Sequence, residues 1–256
     1  MTKTNFVIRE EEKGILFLSL NRPEKRNALN IALLKEICHC YEEAAKNHAI
    51  RAIIIKGEGP IFCSGLDLEE AMDIKVEEES AQFMSHALRA VYDCPALTIA
   101  AVHGAALAGG AGLMAACDFT IATESTHFAF PEVKRGLVAA QIASILLRQL
   151  SGRHVRELLL LGEMINAEQA VSMGLINKIV PEDSLQNAAY ALAKTALRNA
   201  PGAMRKTKHV IDILSATPLS DDLMKVMPFH LEARQSPEAK EGMRAFLEKR
   251  DPAWLR

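Results

Sequence analysis

The amino-acid sequence predicts an α/β fold, and three observations carry that expectation. Arg51–Gly57 and Leu97–Val102 are continuous apolar runs of the kind buried on both faces of a parallel sheet. Each feeds a glycine-containing turn that leads toward a helix. From Ile142 onward the spacing is almost wholly helical, with one strand, Ile176–Val180, interrupting it. The expected division is a core domain over residues 1–199 and a small helical subdomain over 200–256.

In chain order, Phe6–Arg9 and Ile15–Leu20 flank the charged turn Glu10–Gly14, which reads as a hairpin opening. Asn21–Leu29 breaks the pattern with a proline and three basic residues; such a loop is either solvated or a grip on a phosphate-bearing handle. Ile31–Lys46 has helical spacing with Asn30 as N-cap. After the Arg51–Gly57 strand, Asp67 reads as a helix cap, and Cys63-Ser-Gly65 lacks the first glycine of a nucleophile elbow. Phe119–Ala122 and Thr126–Phe130 read as short strands. Helices follow at Ile142–Leu150, Val155–Leu161 and Ala167–Met173, the last opened by the capping-box pattern Asn166 to Gln169. Further helices span Leu185–Asn199, Pro201–Leu214, Leu219–Gln235 and, with Pro237 at its first position, Ser236–Lys249.

Composition narrows the function. A chain of 256 residues, 49% hydrophobic and of net charge −2, can bury a large core and carries no overall polybasic face for nucleic acid or membrane. Its five cysteines show no paired spacing, which predicts reduced thiols and a cytoplasmic setting, and no metal-binding pattern stands out among its eight histidines. The N-terminal residues lack a signal-peptide core, and no apolar run approaches membrane-spanning length.

The most informative stretch is His103–Asp118. It follows a strand, holds Gly104, Gly109, Gly110 and Gly112, and continues into a helix over Leu113–Cys117. Such a turn can aim unpaired backbone N–H groups at negative charge. Gly110-Ala-Gly112 with Glu132 some twenty residues on matches a loose dinucleotide fingerprint, but the next strand begins too soon for a crossover helix. Close helix–sheet packing would explain two of the glycines. An oxyanion hole, one donor from this turn and one from the turn at Ser64-Gly65, explains the two strand-to-turn units together.

Asn21-Arg-Pro with Asn27-Ala-Leu29, Phe62-Cys-Ser-Gly-Leu-Asp67, Val102-His-Gly-Ala-Ala-Leu-Ala-Gly-Gly110, Ala116-Cys-Asp118, Phe130-Pro-Glu132, Ala167–Leu175 and Phe246-Leu-Glu-Lys-Arg250 resemble, in order and over essentially the whole chain, the crotonase superfamily of enoyl-CoA hydratases and isomerases. The resemblance implies a spiral of ββα units with a C-terminal helical trimerisation region, assembled as homotrimers or homohexamers. It implies an acyl-CoA substrate, with no cofactor beyond the CoA of the substrate. The N–H groups of Leu66 and Gly109 would form the oxyanion hole and Glu132 would be the acid/base. Lys25, Arg26, Ala28, Gly110 and Gln141 would contact substrate or CoA, and Phe246 and Lys249 match positions that reach a neighbouring subunit's CoA.

One departure bears on the reaction. Well-studied hydratases carry a second glutamate where this chain has Gly112. Hydration uses an activated water and a proton delivered to the α-carbon, work commonly shared by two carboxylates; moving a double bond needs one base. Single-glutamate members include isomerases, whereas members resembling methylglutaconyl-CoA hydratases also lack the first glutamate and share segments similar to those around Gly112 and Glu132. The expectation is therefore hydration of a 2-enoyl-CoA with Glu132 as acid/base. Double-bond isomerisation with Glu132 as single base is the first alternative and non-catalytic acyl-CoA binding the second.

Overall fold

In the computed structural model, residues 5–73, 75–214 and 217–255 are described. Strands β1 (Val7–Glu12) and β2 (Ile15–Leu20) form the expected antiparallel hairpin. Helix α1 (Ile31–Lys46) then returns the chain to β3 (Ala52–Gly57), parallel to β2. Asn30 caps α1 by accepting from the Leu33 N–H at 2.9 Å.

Two helices, α2 (Leu68–Ala71) and α3 (Glu77–Tyr92), precede β4 (Leu97–Val102). The sequence reading did not assign α3. Its signal was present, because Ala81, Met84, Leu88 and Val91 recur at helical spacing and are buried, while three glutamates open it where the helix dipole favours them.

The chain continues through β5 (Ala105–Leu107), α4 (Gly109–Ala115), β6 (Phe119–Thr123) and β7 (His127–Ala129). After a 3-10 turn over Pro131–Arg135 come α5 (Ala140–Gln149), α6 (Gly152–Leu161), β8 (Ile165–Asn166), α7 (Ala167–Met173) and β9 (Lys178–Val180). The capping box is complete: Asn166 accepts from Gln169 N–H and Gln169 accepts from Asn166 N–H. Helix α4 begins four residues earlier than the spacing predicts, because its glycines, poor helix formers in isolation, are wholly buried in the contact.

The main sheet has the order β1-β2-β3-β4-β6-β9, parallel throughout except for the opening hairpin; β5-β7-β8 form a second, smaller sheet. Alternation along the strands splits the core in two. Leu16, Leu18, Ile53, Ile55, Ala100 and Val102 face α1, α3 and α4, whereas Ile15, Ala52, Ile54, Ile99, Ala101 and Ile121 face the buried side of α8 (Leu185–Leu197). All five cysteines are buried, and none forms a disulfide.

Helices α9 (Pro201–Ile213), α10 (Leu219–Gln235) and α11 (Pro237–Leu247) close the chain over this body. Lys208 of α9 pairs with Asp118 at 2.8 Å, α10 lies against α3 and α5, and α11 lies on the Pro131–Arg135 turn. No helix among the described residues is long and apolar enough to cross a membrane.

Candidate active site

Two turns meet at one end of the parallel strands. Leu29 and Leu66 form an isolated parallel bridge, in which Leu29 N–H donates to the Gly65 carbonyl at 2.8 Å and Asp67 N–H to the Leu29 carbonyl at 3.0 Å. The bridge uses groups of Gly65 and Asp67, so alternation turns the N–H of Leu66 the opposite way. The loop before it is held by Asn27, fully buried, whose Nδ2 donates to the carbonyls of Glu58, Ile61 and Phe62 at 2.8, 3.0 and 3.1 Å.

The second turn is Ala108–Gly109. Leu107 N–H donates to the Cys63 carbonyl at 2.9 Å and Ala108 N–H to the Ala129 carbonyl at 2.8 Å, which seats β5 between the first turn and β7. Ala108 then takes φ 49° and ψ −126°, a conformation costly for any residue with a side chain. That twist delivers Gly109 as the first residue of α4. Gly65, at φ +93°, completes the approach: a Cβ there would lie 2.7 Å from that of Ala108 and 3.3 Å from the Gly109 nitrogen. Among the described residues neither Leu66 N–H nor Gly109 N–H has an acceptor. Two adjacent free donors at a cavity wall are the geometry an oxyanion requires.

Glu132 faces the same cavity from the 3-10 turn, with 8% of its surface exposed. Its Oε2 is buried without a hydrogen-bond partner, and burial pushes the carboxyl up to about 7. A carboxyl near neutrality can both take and return a proton. Arg135, one turn on, stacks its guanidinium over the Phe246 ring, 4.1 Å from the centroid. Close approach of α11 depends on Gly242, where a Cβ would sit 2.4 Å from the Arg135 carbonyl oxygen.

The cavity encloses about 280 Å³. Leu66, Gly109, Glu132, Lys25, Arg26, Ala28, Gln141 and Phe246 all line it, although they come from segments spread over more than two hundred residues. Gly110 and Lys249 do not: Gly110 packs on Cys63, where a Cβ would fall 2.6 Å from the sulfur, and Lys249 is exposed beyond the end of α11. Lys25 is tied to Glu69 at 2.8 Å. Phe246 reaches the cavity of its own chain. The sequence reading did not single out Met84, His230 or Arg234, which also line the cavity. A larger groove of about 1030 Å³ between α9 and the body contains none of the expected site residues.

Gly112 sits beneath the site, and a Cβ there would lie 3.0 Å from Cγ1 of Ile142. A side chain at this position would press on Ile142, a branched aliphatic residue that lines the cavity. Among the described residues lining the cavity, Glu132 is the carboxyl with no ion pair and with one oxygen, Oε2, unbonded, whereas Asp67 and Glu69 are paired with Arg22 and Lys25.

A parallel sheet capped by two converging strand-to-helix turns, with a buried glutamate lining the same cavity, defines a class of α/β protein whose site sets backbone N–H donors beside a carboxyl. The enoyl-CoA hydratase/isomerase family profile matches residues 10–256, and the chain belongs to that family, within the crotonase superfamily. It is 35% identical over 250 residues to the mevalonyl-coenzyme A hydratase sidH of Aspergillus fumigatus, covering 94% of this chain and 91% of that one. It is 32% identical over 254 residues to the enoyl-CoA isomerase/hydratase fer4 of Mycosarcoma maydis, covering 94% and 93%. An enoyl-CoA hydratase of known crystal structure from Mycobacterium avium superposes with a TM-score of 0.87 at 31% identity, covering 98% of this chain and all of that one.

Proposed function

We propose that this protein adds water across the double bond of a 2-enoyl-CoA thioester. The observation that carries the reading is the Glu132 carboxyl, pushed toward neutrality by burial and with Oε2 unbonded, lining the same cavity as Leu66 and Gly109, whose N–H groups have no acceptor among the described residues. The thioester oxygen sits between those donors. Ionised Glu132 takes a proton from water as its oxygen bonds to C3, and the electron pair of the double bond moves through C2 onto the thioester oxygen. The enolate collapses, and Glu132 returns the proton to C2. One carboxyl serves both transfers in turn, so Gly112 need not supply a second. Proton chemistry of this kind calls for no cofactor beyond the CoA that the substrate carries. Relatives named as hydratases support the assignment.

The test is proton NMR of a trans-2-enoyl-CoA in heavy water. A 3-hydroxyacyl product is expected, with Glu132→Gln slowing its formation by about 10²–10⁴-fold. A shifted double bond with no hydroxylation would replace this reading with isomerisation, and binding without turnover across a broad thioester panel would replace it with acyl-CoA binding.

Assembly as a homotrimer or homohexamer is part of the same proposal. Support comes from the end of α9 and the residue that follows it, where Val210, Ile211, Ile213 and Leu214 are exposed by 51–79%. Sedimentation equilibrium reads the state directly, and a monomer would overturn the proposal.

A further inference from the structure

The turn that carries Glu132 also carries a charge suited to pair with it. Pro131–Arg135 is a 3-10 turn, and in that geometry side chains three residues apart lie one above the other. Glu132 and Arg135 have this spacing, and both line the cavity. Yet Glu132 Oε2 and Arg135 Nε are each buried without a hydrogen-bond partner. Lys134, between them in sequence, pairs with Glu163 at 2.8 Å, whereas Arg135 forms no ion pair among the described residues. Two opposite charges on one turn thus stand apart, although buried polar groups are normally bonded.

Phe246 accounts for the separation. The guanidinium lies over its ring, 4.1 Å from the centroid, an arrangement that holds a cation without using up a carboxylate. Gly242, one helical turn before Phe246, lets α11 approach the Arg135 backbone and so brings the ring there. No other group substitutes for Arg135. Lys25 and Glu69 pair with each other, Asp67 pairs with Arg22, and Arg234 donates to the Ala71 and Glu77 carbonyls. Arg26 is exposed, and burial keeps His230 neutral near pH 7. Helices α6 and α11 pack on the turn, and their buried residues carry no charge.

A guanidinium paired with Glu132 would occupy its oxygens and favour the ionised form, by about 1–3 pH units for an opposite charge within about 4–6 Å. Such a carboxylate takes up a proton poorly. Resting on the reading of Glu132 as acid and base, we infer that Phe246 is a positioning residue of the reaction: its ring holds Arg135 out of an ion pair with Glu132 and leaves that carboxyl free to exchange its proton.

The test titrates Glu132 in the ligand-free full chain by pH-difference infrared spectroscopy, its carboxyl band being assigned by loss in Glu132→Gln. Burial sets the wild-type carboxyl at about 7. Phe246→Ala, a change at a half-exposed residue, is expected to release the guanidinium and lower this value by about one pH unit or more. Adding Arg135→Met is expected to restore it, which entry of water into the space left by the ring would not do. Arg135→Met alone is expected to raise the value by less than about one pH unit, because the pair is not made in the wild type. An unmoved titration in Phe246→Ala, no recovery in the double variant, or a larger rise in Arg135→Met alone overturns the inference. In turnover, kcat is expected to fall about tenfold in Phe246→Ala and to recover in the double variant. A raised KM with an unmoved titration would leave Phe246 a role in CoA binding alone and would likewise overturn it. The titration needs no substrate. Absent hydration with the titration pattern intact would count against the hydratase reading alone, and hydration without the pattern would count against this inference alone.

Discussion

The guanidinium of Arg22 lies 3.0 Å from the carboxylate of Asp67, with only 10% and 11% of the two side chains exposed. The pair joins the loop after β2 to the start of α2, and Leu66 is the residue just before it. Arg22 also donates to the Ala28 carbonyl at 2.5 Å, and Asp67 caps α2 by accepting from the Glu70 N–H at 3.5 Å. The Leu66 N–H, proposed as one oxyanion donor, is thus held in place by a buried ion pair.

Removing one partner leaves the other charge buried and unpaired. Asp67→Ala is expected to cost about 2–4 kcal/mol in urea unfolding and to lower kcat/KM about tenfold by loosening Leu66. Arg22→Met combined with Asp67→Leu is expected to recover most of the stability without recovering the rate. A single variant as stable as the wild type would show that the pair is ornamental.

Glu132 links activity to stability in opposite senses. Its carboxyl titrates near 7 in the folded protein against an ordinary 4.5, so the folded state holds the proton more tightly than the unfolded chain. The resulting stabilisation is full below pH 4.5 and is lost as pH rises through 7; a difference of that size corresponds to about 3 kcal/mol. Relative to Glu132→Gln, the wild type is expected to lose about that much between pH 4.5 and pH 8, measured by urea unfolding of both proteins at each pH. His230, held neutral by burial, is common to both proteins and cancels. Over the same range kcat/KM is expected to rise with an apparent pKa near 7, because the ionised carboxyl is the base. A flat stability difference would remove the buried-acid account of Glu132.

Gly112 poses a separate test. Its Cβ position is 3.0 Å from Ile142, a residue 5% exposed in a close-packed interior. Gly112→Glu alone is expected to cost about 1–3 kcal/mol through overpacking, and Ile142→Ala in the same chain is expected to return part of it by vacating the space. Thermal unfolding of the two variants checks the order. Equal melting temperatures would mean that Ile142 is not what fills the place of the second glutamate.

What the sequence made legible follows from the range of the interactions. The limits of α1 are local: Asn30 supplies the cap and an apolar face recurs through Tyr41 and Ala44, so the helix was read to the residue. The capping box at Asn166 and the β4 run were equally local. The pairing of the turns at Leu66 and Gly109 was legible because each follows a buried strand. His230 and Arg234 were not, since they join the cavity lining only through the packing of α10 on α3 and α5. Nor was the occupant of the space beside Gly112, because an absent side chain can be read from sequence whereas the neighbour that replaces it cannot.

Two glycines in helices should answer the same substitution with opposite signs. At Gly242 a methyl group would meet the Arg135 carbonyl at 2.4 Å, so Gly242→Ala must push α11 off the turn that carries Glu132. The expected cost is about 1–3 kcal/mol, with kcat falling because the Glu132 carboxyl loses its backing and the Arg135–Phe246 stack opens. At Gly202 in α9 nothing lies within 4 Å of the added carbon, so Gly202→Ala gains helix propensity, about 0.5–1 kcal/mol, and leaves the rate alone. Hydrogen exchange adds a spatial readout: faster exchange over residues 131–137 is expected in Gly242→Ala and not in Gly202→Ala. If both substitutions stabilise the protein, α11 does not brace the Glu132 turn.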